Sequence, residues 1–351
     1  MSVTTLQDKL AAKGAVLGEY RGGETPVSFG NPAAEFRALL ETCGLYDMSW
    51  QAKLVLTGED RVRWLNGMVT NNVRDLAVGN GVYSFLLTAQ GRIVADLVSY
   101  NGGDALLVTS DRSQAQAIKE MFDHYIIMDD VEVADISDKL LAVGIPGPLA
   151  ANQLQKAGIE LPQLEPGQVV DLTWRGIGIS VARNTHPNMD GYEIWFAAEQ
   201  ADMVWDTLTA AGVKPVGSEA LEWYRIARGV PRYGVDLSQR DLPQETEQKH
   251  ALNFAKGCYI GQEIVERIRA RAILHRTFTG FLFEGEPPQS GAKIKEGDKN
   301  IGEITSAALI PFPSGDRTVA LGYLRREFEK PGTVVQVGEQ MATVQTIPFQ
   351  F

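Results

Sequence analysis

Short runs of alternating polar and apolar residues, each followed by a segment with helical spacing of apolar positions, recur along the chain. The first run, Lys53 to Thr57, alternates as a half-buried strand does. Ser110 is a predicted N-cap and Gly212 a predicted stop for two of the helices that follow such runs. This recurrence predicts related strand–helix modules, which cover residues 53–69, 105–125 and 192–212, with a weaker copy at 140–158.

The last part of the chain, residues 278–351, has a different pattern. It is rich in Val, Ile, Thr, Phe and Gly, and turn signals such as Lys330-Pro331-Gly332 interrupt it often. Short alternating runs lie between the turns, for example Val334 to Val337. This pattern predicts a small antiparallel barrel with a boundary near residue 277.

A hairpin is predicted from Tyr83 to Tyr100, with its turn at Gln90-Gly91. Asp96 lies in the second strand between apolar neighbours. A carboxylate there is costly unless it meets a partner or a ligand, and the alternative is a solvated outward face. Asp96 is therefore a candidate functional residue.

Two other charged positions stand in apolar surroundings. Glu193 opens an apolar strand directly after the turn at Gly191, where an exposed edge position is the alternative to a ligand contact. Arg225 lies on a partly apolar helix. Its guanidinium group can form a structural ion pair or hold a ligand carboxylate.

The segment from Lys256 to Glu263 forms a candidate thiol motif. Gly257 and Gly261 bracket Cys258, which predicts a tight turn with an exposed thiol. A positive charge at Lys256 and the start of a helix at Gln262 would favour the thiolate. The alternative is a buried cysteine, as expected for Cys43. The motif residues are Lys256, Gly257, Cys258, Tyr259, Gly261, Gln262 and Glu263.

Downstream of this motif the chain is locally basic. Alternation in residues 267–271 predicts a strand with guanidinium groups on one face, and these groups suggest an anionic ligand tail or an acidic partner. A solvated face is the alternative. The basic residues are Arg267, Arg269, Arg271, His275 and Arg276.

Composition narrows the function classes. The chain has 351 residues, 44% of them hydrophobic, which suggests two or three domains of a globular protein. A net charge of −11 argues against general nucleic-acid binding. No long apolar run or signal peptide is recognised, and the two cysteines fit a reducing cytoplasm rather than a disulfide scaffold or a resident iron–sulfur cluster. No metal-binding spacing is present.

Several segments, taken together, resemble the aminomethyltransferase superfamily, which includes the T-protein of the glycine cleavage system. The motif from Lys256 to Glu263 is similar to that of one branch, the YgfZ-type folate-binding proteins linked to iron–sulfur protein maintenance. The segments that carry the wider resemblance are Leu45 to Ser49, Val55 to Arg61, Thr70 to Val73, Tyr83 to Tyr100, Asp190 to Ile194, Pro215 to Gly217 and Leu221 to Gly229.

The resemblance implies an α+β fold, a three-lobed cloverleaf of two related α/β lobes and a C-terminal antiparallel β-barrel, with tetrahydrofolate or a one-carbon derivative in a central opening. The implied lobes are residues 1–50 with 135–245, residues 51–134 with 246–277, and residues 278–351. Asp96 and Cys258 are the implied reactive residues, and the implied folate contacts are Tyr83, Asp96, Val98, Tyr100, Glu193 and Arg225.

The resemblance supports two functions. The leading hypothesis is a folate-binding accessory protein for iron–sulfur enzymes, with a protein partner at Arg267, Arg269 and Arg271. The alternative is a folate-dependent aminomethyltransferase or methyltransferase. The hairpin carries Ala95 and Asp96 where the transferases carry two adjacent acids, which favours the first hypothesis. A third, non-catalytic module would dock a protein or RNA through the basic segment.

Overall fold

The computed structural model describes residues 6–271 and 274–350, so Ala272 and Ile273 of the basic segment lie outside the described residues. The described residues form α1 (Leu6–Ala12), α2 (Pro32–Glu41), α3 (Arg61–Met68), α4 (Arg112–Tyr125), α5 (Ala150–Lys156), α6 (Ala201–Ala210), α7 (Ser218–Ala227) and α8 (Gln262–Arg271). No helix in these ranges is long and apolar enough to cross a membrane.

The strands of the first two thirds of the chain are short. They are β1 (Val16–Tyr20), β2 (Gly23–Ser28), β3 (Gly44–Asp47), β4 (Gln51–Thr57), β5 (Gly81–Leu87), β6 (Ile93–Asn101), β7 (Leu106–Asp111), β8 (Glu132–Asp135), β9 (Leu140–Pro146), β10 (Val169–Trp174), β11 (Ile177–Arg183), β12 (Gly191–Ala197) and β13 (Lys214–Pro215).

The remaining strands form a closed antiparallel barrel in the order β14-β17-β16-β15-β18-β19. Its core contains Phe281, Ile304, Leu324 and Val344, each essentially inaccessible to solvent. The barrel strands are β14 (Arg276–Phe283), β15 (Lys293–Glu296), β16 (Lys299–Phe312), β17 (Gly315–Arg325), β18 (Val334–Val337) and β19 (Gln340–Gln345).

The chain divides into two compact units. The first contains residues 1–67, 71–84 and 97–221, and the second contains residues 68–70, 85–96 and 222–351. The three lobes implied by the resemblance divide the chain differently, and their boundaries stay a prediction.

A six-stranded sheet in the order β10-β11-β12-β9-β3-β13 organises the first unit. Alternate residues of β12 face opposite sides, as in any strand. Ile194 and Phe196 join the apolar core that also contains Trp205 and Leu208 of α6. Glu193, the residue before Ile194, therefore points to the other face of the sheet.

A second sheet has the order β5-β6-β7-β4-β8. Its β5 and β6 are the hairpin predicted from Tyr83 to Tyr100, and Gly91 in the turn has a φ of 72°. In β4, residues 51–54 are buried although their pattern is partly polar, so this strand is covered more fully than its alternation predicted.

The α+β class and the closed C-terminal antiparallel barrel are confirmed. The helix that ends before Gly212 is also confirmed, since Gly212 has a φ of 94° just after α6. Two local predictions are wrong. Asp111, rather than Ser110, occupies the N-cap position of α4, and residues 267–271 are helical instead of forming a strand.

Candidate functional site

Glu193 lies in an interior strand of the six-stranded sheet. Its register partners are Ala182 on β11 and Gly144 on β9, so both edges of its strand are paired. The alternative of an exposed edge position is therefore wrong. The side chain is half-buried, which leaves part of its carboxylate within reach of a ligand.

The Glu193 carboxylate is anchored through one oxygen. Its Oε2 accepts hydrogen bonds from Gln51 Nε2 at 3.0 Å and from Trp195 Nε1 at 3.1 Å. Among the described residues no group donates to its Oε1. The buried Oε1 of Gln51 likewise has no hydrogen-bond partner there. The hydrogen bond between Gln51 and Glu193 fixes these two side chains, and each has one oxygen to which no described group donates. Together these two acceptors suit the edge of a ligand that carries two N–H donors.

Tyr100 and Trp195 form an aromatic wall beside this carboxylate. Their rings meet edge to face, with centroids 4.8 Å apart and planes at 78°. Burial, and then the charge of Glu193, raises the pKa of Tyr100 well above its usual value, so the phenol stays protonated. The wall and the carboxylate together offer both an apolar surface and hydrogen-bond acceptors.

The predicted residues of β6 share one face. Asp96, Val98 and Tyr100 are alternate residues of this strand, so their side chains project to the same side. Val98 pairs with Thr109 of β7, and Thr109 pairs with Lys53 of β4. The same face of this sheet therefore continues to β4.

Asp96 is half-buried in β6, and a tyrosine that the sequence did not single out lies close to it. Burial raises the pKa of Tyr233, and the charges of Asp96 and Asp241 raise it further. Tyr83 is half-buried in β5, where its carbonyl oxygen accepts a hydrogen bond from Asn71 Nδ2 at 3.0 Å. The side-chain roles predicted for Asp96 and Tyr83 stay predictions.

Arg225 is committed to an internal network and is only 3% exposed. Its Nε donates to Glu222 at 2.8 Å, its Nη1 to the buried Asp236 at 2.7 Å, and its Nη2 to Ser306 at 2.9 Å. All three guanidinium nitrogens are thus used within the protein. This network gives Arg225 a structural role, and the folate contact implied for it stays a prediction.

The two cysteines differ as the sequence predicted. Cys258 is exposed, whereas Cys43 lies in the apolar core of the first unit, where burial raises its pKa to about 11. Lys256 does not act as predicted. Its side chain is buried, its Nζ donates to the Val69 carbonyl at 2.6 Å, and it lies 5.1 Å from the centre of the Tyr259 ring. The lysine therefore fastens the motif to the interior of the second unit.

The two glycines of the motif are not equivalent. Gly261 has a φ of 83°, and a Cβ there would lie 2.6 Å from the Thr88 carbonyl oxygen in the hairpin turn. Gly257 has open space around it, so its lack of a side chain is not required sterically. The tight turn predicted for this motif therefore depends on Gly261, which also lets the motif pack against the hairpin.

Residues 267–271 of the basic segment continue the helix that begins at Gln262. Arg269 stacks on Phe254, with its guanidinium carbon 4.4 Å from the ring centre, and pairs with Glu266 at 3.5 Å. In a helix Arg269 points away from Arg267 and Arg271, because alternate residues are separated by about 200°. The single guanidinium-lined face that the sequence predicted does not form.

Comparisons with known families cover nearly the whole chain. Residues 6–256 match the family model described as the GCVT N-terminal domain. Residues 276–349 match the glycine cleavage T-protein C-terminal barrel domain.

Individual proteins extend this similarity. An aminomethyltransferase of Streptomyces coelicolor is 28% identical, over 94% of this chain and 91% of its own length. One from Thermus thermophilus is 26% identical over 99% of both chains. The solved structure of glycine cleavage system aminomethyltransferase T from Bartonella henselae matches with a TM-score of 0.88 and 22% identity, over 99% of this chain and 98% of that one. This structural match shows a shared fold.

Proposed function

Since the chain belongs to the glycine cleavage T-protein family, we propose that it binds tetrahydrofolate and transfers an aminomethyl or related one-carbon unit to it. The observation that carries this proposal is the anchored carboxylate of Glu193 beside the unpartnered Oε1 of Gln51. The curated relatives named above are aminomethyltransferases, which supports the transferase over the iron–sulfur accessory function.

The residues present fit a pteridine ring. Its pyrimidine edge presents a ring N–H and an amino group, and these donors match the acceptors of Glu193 and Gln51. The aromatic wall of Tyr100 and Trp195 would cover the apolar part of the ring. Because Oε2 of Glu193 already accepts two hydrogen bonds, the ligand's donor would go to Oε1.

Asp96 is the proposed reactive carboxylate. When bound, tetrahydrofolate supplies the secondary amine that receives the one-carbon unit, while the amino group of the aminomethyl donor leaves as ammonia and the carrier thiol is released. A fixed carboxylate stabilises positive charge that develops in the transition state, and it can hold the proton that the amine releases. Asp96 shares a strand face with Val98 and Tyr100, which supports its assignment to the reaction.

An Asp96→Asn variant separates binding from reaction. We expect calorimetry to give an affinity for tetrahydrofolate within about threefold of wild type, because the amide keeps the side chain's shape. Formation of methylenetetrahydrofolate from an aminomethylated carrier protein should fall by about 100-fold or more. Absence of saturable tetrahydrofolate binding to the wild-type protein would remove the proposed function, and full activity of Asp96→Asn would remove only the role of Asp96.

The exposed Cys258 favours a second candidate, the YgfZ-type accessory function. A Cys258→Ala variant distinguishes the two candidates. If the transferase proposal holds, this variant keeps tetrahydrofolate binding and product formation within about twofold of wild type, because the thiol takes no part in the transfer. The accessory function gains the stronger support if the variant binds folate normally but cells that carry it lose the activity of their iron–sulfur enzymes.

A further inference from the structure

Lys53 is a buried cation whose role the proposed reaction does not explain. Its side chain is 1% exposed, among the largest fully buried side chains of the protein. Within the described ranges, its ammonium group makes no hydrogen bond and no ion pair within 4 Å. An ammonium group with so little access to solvent and no acceptor among the described residues is costly, so the site favours a ligand group that accepts a hydrogen bond from it.

The charges nearest Lys53 come from three other elements. Burial lowers its pKa to about 8, and the positive charge of Arg112 on α4 acts in the same direction. Glu193 on β12 and Asp47 on β3 oppose this shift, and the effect of Glu193 is the larger of the two. The group is therefore mostly protonated at pH 7, with three N–H donors.

The strand register brings this donor to the proposed ligand acceptors. Gln51 and Lys53 are alternate residues of β4, so their side chains leave the same face of the strand. Gln51 in turn holds the carboxylate of Glu193. One small region of the first unit thus combines two available acceptors with one available donor.

We propose that Lys53 donates a hydrogen bond to the ring carbonyl oxygen of the pteridine and thereby selects 4-oxo-pteridines over 4-amino-pteridines. This inference rests on the proposed folate binding. In a 4-oxo-pteridine the carbonyl group is adjacent to the ring N–H group that would donate a hydrogen bond to Glu193. A 4-amino analogue places an NH₂ group at that position, so two donors would meet, and its adjacent ring nitrogen carries no hydrogen to donate to Glu193.

The test compares tetrahydrofolate with its 4-amino counterpart, in which NH₂ replaces the ring carbonyl oxygen. Calorimetry on the full chain should show that the wild type prefers the oxo form. In Lys53→Met, which keeps most of the length of the side chain but has no donor, affinity for tetrahydrofolate should fall by about 10- to 100-fold. Affinity for the 4-amino counterpart should stay equal or rise, because this variant removes the donor that faces its NH₂ group.

A Lys139→Met variant is the matched control, since Lys139 is an exposed lysine of the same unit, and its affinities should equal those of wild type. A parallel loss for both ligands in Lys53→Met would overturn the inference, because it would mean that Lys53 only supports the charge of Glu193. An affinity of Lys53→Met for tetrahydrofolate equal to that of wild type would also overturn the inference. Failure of the wild type to bind either ligand would instead remove the proposed function on which the inference rests.

A second measurement needs only the wild-type protein, in case Lys53→Met does not fold. The pKa of Lys53, about 8, predicts that affinity for tetrahydrofolate weakens as the pH rises from 7 to 9, because the ammonium group loses a proton and its positive charge and becomes a weaker donor. Tyr100 does not titrate in this window, since its pKa is raised well above the usual value. An equal pH dependence for the 4-amino counterpart would contradict the inference.

Discussion

Replacing Glu193 with glutamine is expected to lower the affinity for tetrahydrofolate by about 100-fold, which corresponds to about 2.7 kcal/mol of binding free energy. Gln51 Nε2 and Trp195 Nε1 both donate to Oε2, so the new amide would turn its oxygen toward them. Its NH₂ group would then face the ligand. The variant therefore loses the negative charge and also presents a donor where the ligand needs an acceptor.

Calorimetry with tetrahydrofolate measures this effect, and Asp171→Asn is the matched control. Asp171 is an exposed acid of β10 in the same sheet, and its carboxylate accepts a hydrogen bond from Ser180. This control should bind like wild type. An affinity of Glu193→Gln within threefold of wild type would show that the ligand does not use this carboxylate.

Replacing Arg225 with leucine is expected to lower the free energy of unfolding by about 3–5 kcal/mol. The reason is the carboxylate of Asp236, whose side chain is fully buried and pairs with Arg225 at 2.7 Å. Removing the guanidinium group leaves this charge buried without its counter-ion. Urea denaturation, followed by circular dichroism and fluorescence together, measures the loss.

The control for this variant is Arg240→Leu in the same unit. Arg240 has a side chain that is 78% exposed and lies 3.9 Å from Glu303, so its replacement should change stability by about 0.5 kcal/mol or less. If Arg225→Leu keeps its stability but loses affinity for tetrahydrofolate, this result would support the folate contact that the resemblance implied for Arg225.

Local patterns predicted the elements whose neighbours in space are also neighbours in sequence. The hairpin from Tyr83 to Tyr100 has its turn glycine and its alternating strands within one short segment. The strand that carries Glu193 and the helix that follows it are similarly local. The resemblance then assigned a role to Glu193 that its pattern alone left open.

The partners of Glu193 were harder to predict, because long-range pairing supplies one of them. Gln51 lies 142 residues earlier in the chain, and only the assembled sheets bring its amide to the carboxylate. Trp195 follows Glu193 by two residues, so strand periodicity already placed both on one face. The spacing of Glu193 and Trp195 was therefore visible in the sequence. A tryptophan two residues from a glutamate in a strand is too common a pattern to indicate a ligand site by itself.

Lys53 shows a different limit of sequence patterns. Alternation in residues 53–57 indicated which positions share a face, and it suggested that the polar face meets water. Alternation does not reveal whether a second layer covers that face, and in β4 it is covered. The arginines of residues 267–271 show the reverse problem, since five alternating residues also fit the end of a helix that begins at Gln262.

The hydrogen-bond network around Arg225 limits where the C-terminal barrel can be exchanged between members of this family by recombination. Family similarity separates the C-terminal barrel at residue 276, yet Ser306 of the barrel hydrogen-bonds both Arg225 and Asp236, which precede that position. A chimera joined at residue 276 would combine the buried Arg225–Asp236 ion pair with a barrel from another protein. If that barrel lacks a serine at the position of Ser306, the ion pair loses both of these hydrogen bonds. Recombination between relatives is therefore tolerated best when the segment from Arg225 onward is inherited together with the barrel.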